Sequence, residues 1–213
     1  MSKTIRMALT KGRIEKGAIA LLEKAGYGCE GLKDKGRRLI VPTDGGEIDV
    51  VFAKAADVIT YVETGACDIG IVGKDTILEN GRSFYEMADL GFGRCRMVLA
   101  APKGKDIFEG YAAKRIASKY PKIAADYFAR KQMDVKILKI EGSVELGPVL
   151  GITDAIVDLV ETGKTLAENG LEVIETVCEV STRVIVNIAS LKLSKDQIVE
   201  IVDRLNKAKE AAE

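Results

Sequence analysis

Apolar and polar positions along the chain switch repeatedly between two periods. Ile5 to Leu9 is a short apolar run that predicts a strand. Ile14, Ala18, Leu21, Leu22 and Ala25 then fall at helical spacing before Gly26 closes the stretch. The same alternation follows: an edge strand at 39–42, a strand at 47–53, a helix over 58–64 stopped by Gly65, a strand at 68–73 and a helix from Lys74. Residues 85–93 break the rhythm and read as a connector. Strands are predicted at 95–101, 114–118 and 135–140, with a helix over 121–132 and a short helix at 144–147. After the run 154–160 come two further strands, 171–178 and 183–189. Ser194-Lys195-Asp196-Gln197 has capping-box form and opens an amphipathic last helix carrying Ile198, Ile201, Val202 and Leu205. Repeated β–α alternation implies mostly parallel sheets covered by helices. Two α/β lobes joined by crossing strands near 90 and 179 fit this order better than one sheet.

The stretch DAIVDLVETGKTL, 154–166, stands out within that pattern. An apolar strand carrying Asp154 and Asp158 runs into Thr162-Gly163-Lys164-Thr165, and a helical stretch follows. A glycine turn after a strand presents backbone N–H groups to a phosphate, and flanking threonines add hydroxyl donors. Acids on such a strand suit a ribose diol or a bound Mg2+. The GKT tripeptide invites comparison with the nucleotide-triphosphate P-loop, which needs a glycine five residues before Gly163. Asp158 stands there, so that reading fails. The stretch better resembles the phosphoribosyltransferase pattern, in which T-G-x-T holds a ribose 5-phosphate.

Composition narrows the chemistry. Lys plus Arg total 32 and Asp plus Glu total 32 in 213 residues, which leaves no nucleic-acid footprint. The chain has no histidine, so no histidine base, metal ligand or catalytic triad of the usual kind is available. Cys29, Cys67, Cys95 and Cys178 follow no metal-ligand spacing and read as reduced thiols. With no signal-peptide core and no run of transmembrane length, a soluble cytoplasmic protein is expected. Lys11 and Arg13 sit in a strand-to-helix loop, the usual ligand edge of a parallel sheet. Asp75 is placed to cap a helix.

Taken in order, several separated motifs resemble one family, the ATP phosphoribosyltransferases that open histidine biosynthesis. They are T-K-G-R at 10–13, R-R-L at 37–39, A-K-A-A-D-V-I-T-Y-V at 53–62 and C-D-I-G-I-V-G-K-D at 67–75. D-L-G-F-G-R-C-R at 89–96, R-I-A-S-K-Y-P at 115–121, E-G-S-V-E-L at 141–146 and the 154–166 stretch continue the series. The length is similar to the short form that lacks a C-terminal regulatory domain.

The resemblance implies a fold like a type II periplasmic binding protein, with the active site in the cleft between lobes. Lobe I would be 1–90 with 179–213 on the ATP side, and lobe II would be 91–178. The implied reaction joins N1 of ATP to C1 of phosphoribosyl pyrophosphate, with Mg2+ and release of pyrophosphate. Implied partners are a second catalytic subunit and a regulatory subunit related to histidyl-tRNA synthetase, together forming a hetero-octamer. Matching residue by residue, Lys11, Arg13, Arg37 and Lys54 would contact pyrophosphate and triphosphate. Asp68, Gly73, Lys74 and Asp75 would line the lobe I wall. Glu141, Gly142 and Ser143 would hold ribose, with Glu141 a ligand of Mg2+ that arrives mostly through substrate phosphates. Asp154 and Asp158 would take ribose hydroxyls. Thr162, Gly163, Lys164 and Thr165, with the amides of Glu161 and Leu166, would take the 5-phosphate.

Two positions depart from the family. Lys54 stands where arginine is usual and cannot make the bidentate phosphate fork. Lys164 replaces a small polar residue and is expected to contribute only its backbone. The rival class is a two-lobed solute-binding module, which would share the architecture but has no reason to keep the T-G-x-T loop with its acids.

Overall fold

The computed structural model describes residues 4–81, 83–110 and 112–211. In chain order the elements are β1 (Ile5–Thr10), α1 (Arg13–Lys24), α2 (Glu30–Lys33), β2 (Ile40–Pro42), β3 (Ile48–Ala53) and α3 (Ala55–Glu63). Next come β4 (Ile69–Gly73), α4 (Lys74–Asn80), β5 (Tyr85–Asp89), β6 (Cys95–Pro102), β7 (Lys114–Ser118) and α5 (Pro121–Arg130). They are followed by β8 (Val135–Lys139), α6 (Leu146–Val149), β9 (Ala155–Val160), α7 (Lys164–Glu168) and β10 (Leu171–Val180). The chain ends with β11 (Thr182–Val186), α8 (Ile188–Leu193) and α9 (Lys195–Glu210). It divides into two compact units, Met1–Gly93 with Ser181–Glu213, and Arg94–Val180.

The first unit holds a six-stranded sheet in the order β2-β3-β1-β4-β11-β5. Strict period-two alternation sends its side chains to two cores. Met7, Leu9, Ile69 and Ile71 pack with Leu21 and Leu22 of α1 and with Ile198, Ile201 and Leu205 of α9. Ala8, Val72 and Ile185 face the other way, onto Val58, Ile59 and Val62 of α3. Gly70 is what lets α3 come so close. A Cβ there would lie 2.8 Å from Val62 and 2.9 Å from both Val58 and Ile185.

The second unit holds a five-stranded sheet in the order β10-β6-β9-β7-β8. Val98, Ala100, Ala117, Ile156 and Val160 form one face with Val144, Leu166 and Leu171. Helix α5 buries Ile123, Ala124, Tyr127 and Phe128, the face its periodicity predicts.

Parallel pairing holds for three consecutive strands in each sheet, β3-β1-β4 and β9-β7-β8. The remaining pairs are antiparallel, so both sheets are mixed rather than mostly parallel. The reason is connectivity: β2 turns directly into β3, and β6 and β11, each preceded by no helix, run against both of their neighbours, whereas β5 and β10, reached through α4 and α7, keep the direction of β4 and β9. Residues 85–89, read as a connector, form β5 by pairing with β11. Strand β11 stops at Val186, and α8 follows, capped by Asn187, whose side chain accepts the Ser190 N–H at 2.9 Å. Ser194 makes no side-chain cap for α9, because it also closes α8, its N–H donating to Ser190.

Candidate functional site

Each set of three parallel strands ends on one edge of its sheet, and loops following such edges are where ligands bind in α/β sheets. In the second unit β7, β8 and β9 finish at Ser118, Lys139 and Val160. Ser118 shapes this edge. Its hydroxyl donates to the Val157 carbonyl at 2.6 Å and accepts the Tyr120 N–H at 2.8 Å, while the Ile140 N–H reaches the Ser118 carbonyl. Glu141, Gly142 and Ser143 leave from that point, and the Leu146 N–H returns to the Ser143 carbonyl.

The turn after β9 depends on Gly163, which adopts φ 79° and ψ 2°, a left-handed conformation that glycine takes without penalty. Thr162 bends back so that its hydroxyl accepts the Lys164 N–H at 3.4 Å. Leu166 is buried against Val144, Ile156 and Val160 and anchors the turn from below. Glu161, Thr162, Lys164 and Thr165 remain exposed. The Lys164 ammonium leans along the helix to Glu168 at 3.8 Å, which leaves its backbone as the contribution to the turn.

Asp158 shares the face of Ile156 and Val160 and is half-buried. Burial pushes its carboxyl up to about 6, with Glu145 raising it further; the Leu159 N–H and Lys119 pull the other way. The sequence reading missed Ser118 and Lys119. Each is one more polar residue at a strand end until the register places it beside the acids. Glu141 is exposed and pairs with Lys139 at 2.8 Å, which lowers its carboxyl.

Asp154 does not join this group. It precedes β9, whereas the Thr162 turn follows it, and six residues at about 3.3 Å per residue separate them by about 20 Å. Its carboxylate accepts the Arg115 N–H at 2.9 Å and pairs with Lys105 at 3.0 Å and the Arg115 side chain at 3.5 Å. Those partners hold it at about 2, the Arg115 N–H contributing most against an opposing cost of burial. It fastens the start of β9 to the start of β7.

In the first unit β1, β3 and β4 end at Thr10, Ala53 and Gly73. The Lys11 N–H donates to the Ala53 carbonyl at 2.9 Å, which brings Lys11, Gly12 and Arg13 beside Lys54, the exposed residue that opens α3. Arg37 belongs to the same edge, since the segment before β2 runs alongside the end of β3 and the Phe52 N–H donates to the Leu39 carbonyl. Gly73 opens α4 with no side-chain cap. Asp75 therefore does not cap this helix; its carboxylate folds over Gly73, where a Cβ would collide with it. Lys74 pairs with Glu86 at 2.5 Å, and Arg183 bridges Glu86 and Asp89 at 3.2 and 3.0 Å.

Asp68 lies at the opposite end of β4 from Gly73. It is buried, accepting the Arg6 N–H at 2.9 Å and the Ser190 hydroxyl at 2.7 Å, so it braces the far edge of the sheet instead of lining this one. Lys35 is a cation of this edge that the sequence reading missed; it lies over the Phe52 ring at 3.8 Å.

Burial raises the Cys29 and Cys67 thiols to about 11, which keeps both protonated and unreactive at neutral pH. The two edges thus offer exposed cations and a hydroxyl-rich glycine turn, with acids beside the turn. Such groups bind and polarise polyphosphate and sugar. Among the described residues no three acidic or cysteine side chains converge on a common point. A cation bound chiefly through a polyphosphate, with Glu141 as a protein ligand, suits this donor set, since Mg2+ commonly takes one or two carboxylates plus substrate oxygens.

Comparison with known proteins agrees with these features. The family model described as "HisG: ATP phosphoribosyltransferase" matches residues 54–207. An ATP phosphoribosyltransferase of Clostridium kluyveri is 52% identical over 203 residues, covering 95% of this chain and 93% of that protein. One from Clostridium acetobutylicum is 53% identical over 204 residues, covering 96% and 95%. The solved ATP phosphoribosyl transferase (HisG:HisZ) complex from Thermotoga maritima contains a chain that superposes with a TM-score of 0.82 at 34% identity, covering 97% of this chain and 99% of that one. The alkanesulfonate-binding protein SsuA of Xanthomonas axonopodis pv. citri shares the fold, with a TM-score of 0.58 at 10% identity over 98% of this chain and 74% of that one.

Proposed function

The chain belongs to the ATP phosphoribosyltransferase family, and from that membership we propose that it transfers the 5-phosphoribosyl group of phosphoribosyl pyrophosphate to N1 of ATP. This is the first step of histidine biosynthesis. The N1 lone pair forms the new bond to C1 while the C1–O bond to pyrophosphate breaks, both of its electrons leaving with pyrophosphate. N1 already carries a lone pair, so no histidine base is needed. The acceleration comes from holding the reactants in line and neutralising the leaving group.

The observation that carries this reading is the left-handed Gly163 turn at the end of β9, flanked by exposed Thr162 and Thr165. In this reading the turn takes the ribose 5-phosphate on hydroxyls and on the amides of residues 161–166. Asp158, with Glu141, Gly142 and Ser143, takes the ribose. On the first unit Lys11, Arg13, Arg37 and Lys54 supply charge to pyrophosphate and triphosphate, and Gly73, Lys74 and Asp75 form the wall beside them. Asp68 and Asp154 have no direct part. Mg2+ bound through the substrate's phosphates, with Glu141 as protein ligand, would offset the charge building on the departing pyrophosphate.

We further propose a cytoplasmic enzyme that pairs with a second copy and with a regulatory subunit related to histidyl-tRNA synthetase in a hetero-octamer. The neighbour solved as a HisG:HisZ complex supports this partnership. The test is pyrophosphate release from the purified chain, alone and with that partner. Release that needs both ATP and phosphoribosyl pyrophosphate supports the reading, and none in either case refutes it.

A further inference from the structure

Lys35 is an unusual cation for a surface loop. Its side chain is only 22% exposed, and its ammonium sits 3.8 Å from the Phe52 ring centroid. Its carboxylate partner is Glu15 in the first turn of α1, itself only 19% exposed at the side chain, and the two are in direct contact. The other Glu15 oxygen accepts the Gly12 N–H at 3.2 Å. One carboxylate therefore ties two loops of the same edge together, Lys11–Arg13 and residues 34–39. Those loops carry three of the four cations assigned above to polyphosphate. Lys11 is close enough that its charge, after burial, helps to lower the Lys35 ammonium from its ordinary value. A covered lysine beside an exposed one of like charge, with one internal carboxylate between the loops that hold them, makes a place where a polyanion is favoured.

We propose that Lys35 is a further polyphosphate-binding residue of this edge, and that Glu15 is its resident counter-ion, displaced when substrate phosphate arrives. The inference rests on the transferase reading, because it assumes that the edge takes the pyrophosphate or triphosphate of a substrate. In the unliganded protein Glu15 offsets the cost of covering the ammonium, since a lone buried charge is strongly disfavoured. A phosphate oxygen accepts the same ammonium and adds contacts to Lys11 and Arg13.

A purely structural pair would behave differently under substitution, and the sign of the effect separates the two cases. The experiment is calorimetric titration of inorganic pyrophosphate into the full chain and into K35Q, E15Q and K35R. Loss of one charge-assisted contact corresponds to an affinity change of about tenfold. K35Q is expected to bind pyrophosphate about tenfold more weakly. E15Q, freed of the competing carboxylate, is expected to bind severalfold more tightly, and K35R within about threefold of the parent. If K35Q and E15Q weaken binding alike, the pair only pins the loops and the inference is wrong. Unchanged affinity in K35Q also overturns it. Turnover by the parent chain with ATP and phosphoribosyl pyrophosphate, alone and with the proposed regulatory subunit, tests the underlying reading separately. Turnover with the wrong sign in E15Q sinks the counter-ion role alone, whereas absent turnover with the expected signs sinks the transferase reading alone. K35R keeps the charge and guards against mistaking a folding defect for lost binding.

Discussion

The Asp154 carboxylate accepts the Arg115 backbone N–H at 2.9 Å, and this bond closes the start of β9 onto the start of β7, at the end of the sheet away from Thr162. The acid is consequently part of the framework. D154A is expected to destabilise the fold by about 1–2 kcal/mol, the scale of a charged hydrogen bond at a partly exposed position. The Michaelis constant for phosphoribosyl pyrophosphate should stay within about twofold. The held-down carboxyl also fixes a pH window. Its folded value of about 2 lies below the unfolded one, so its contribution is complete above about 4 and is lost as pH falls toward 2. Acid titration of unfolding in the parent and in D154A would expose that difference.

Asp158 behaves in the opposite sense. Its folded value of about 6 lies above the unfolded one, so the protonated form is favoured by folding. Stability on this account is greatest below about pH 4 and declines as pH rises to about 6, after which it levels off. D158N removes the decline and is expected to be about 2 kcal/mol more stable than the parent at pH 7. It should also bind phosphoribosyl pyrophosphate at least tenfold more weakly, because a carboxylate acceptor for ribose hydroxyls is gone. In the parent, kcat/KM should rise through an apparent value near 6. Denaturant melts and initial rates across pH 5 to 8 check both claims.

The turn after β9 predicts binding loss without folding loss. Thr162 and Thr165 are exposed, so T162A with T165A should leave the melting temperature nearly unchanged and weaken phosphoribosyl pyrophosphate binding by about 10- to 100-fold. G163A meets nothing closer than a Val160 methyl at 3.7 Å, so its cost is conformational, about 1–2 kcal/mol for a left-handed residue with a Cβ. That variant should fold yet bind poorly. Calorimetry of all three proteins decides the matter, and unchanged affinity in the double variant would remove the phosphate from this turn.

Much of this architecture was readable from local pattern. The strands of both parallel triplets and helices α1, α3, α5 and α9 follow directly from two periodicities, because each buries a face defined by its own spacing. What escaped depended on partners distant in sequence. Tyr85–Asp89 alternates weakly and becomes a strand only by pairing with β11, almost a hundred residues later. Ser194 looks like the start of a capping box, but it serves two helices and its geometry suits neither as a side-chain cap. At the candidate site the loop residues were legible because glycine, hydroxyl and charge recur at strand ends. Asp68 and Asp154 were misplaced for a common reason. Each precedes its strand, so strand direction carries it to the edge opposite the loop that follows. Lys35 gave no signal in the sequence, since nothing local distinguishes a lysine covered by Glu15 and Phe52 from a solvated one.

The most direct measurement is the identity of the product formed when the chain, with Mg2+ and the regulatory subunit proposed above, receives ATP and phosphoribosyl pyrophosphate. The account predicts one adduct with the mass of ATP plus a phosphoribosyl group, alkylated at N1 of the adenine ring, appearing in step with released pyrophosphate. Binding of both compounds with no adduct and no pyrophosphate would contradict it and mark the chain as a two-unit binding protein.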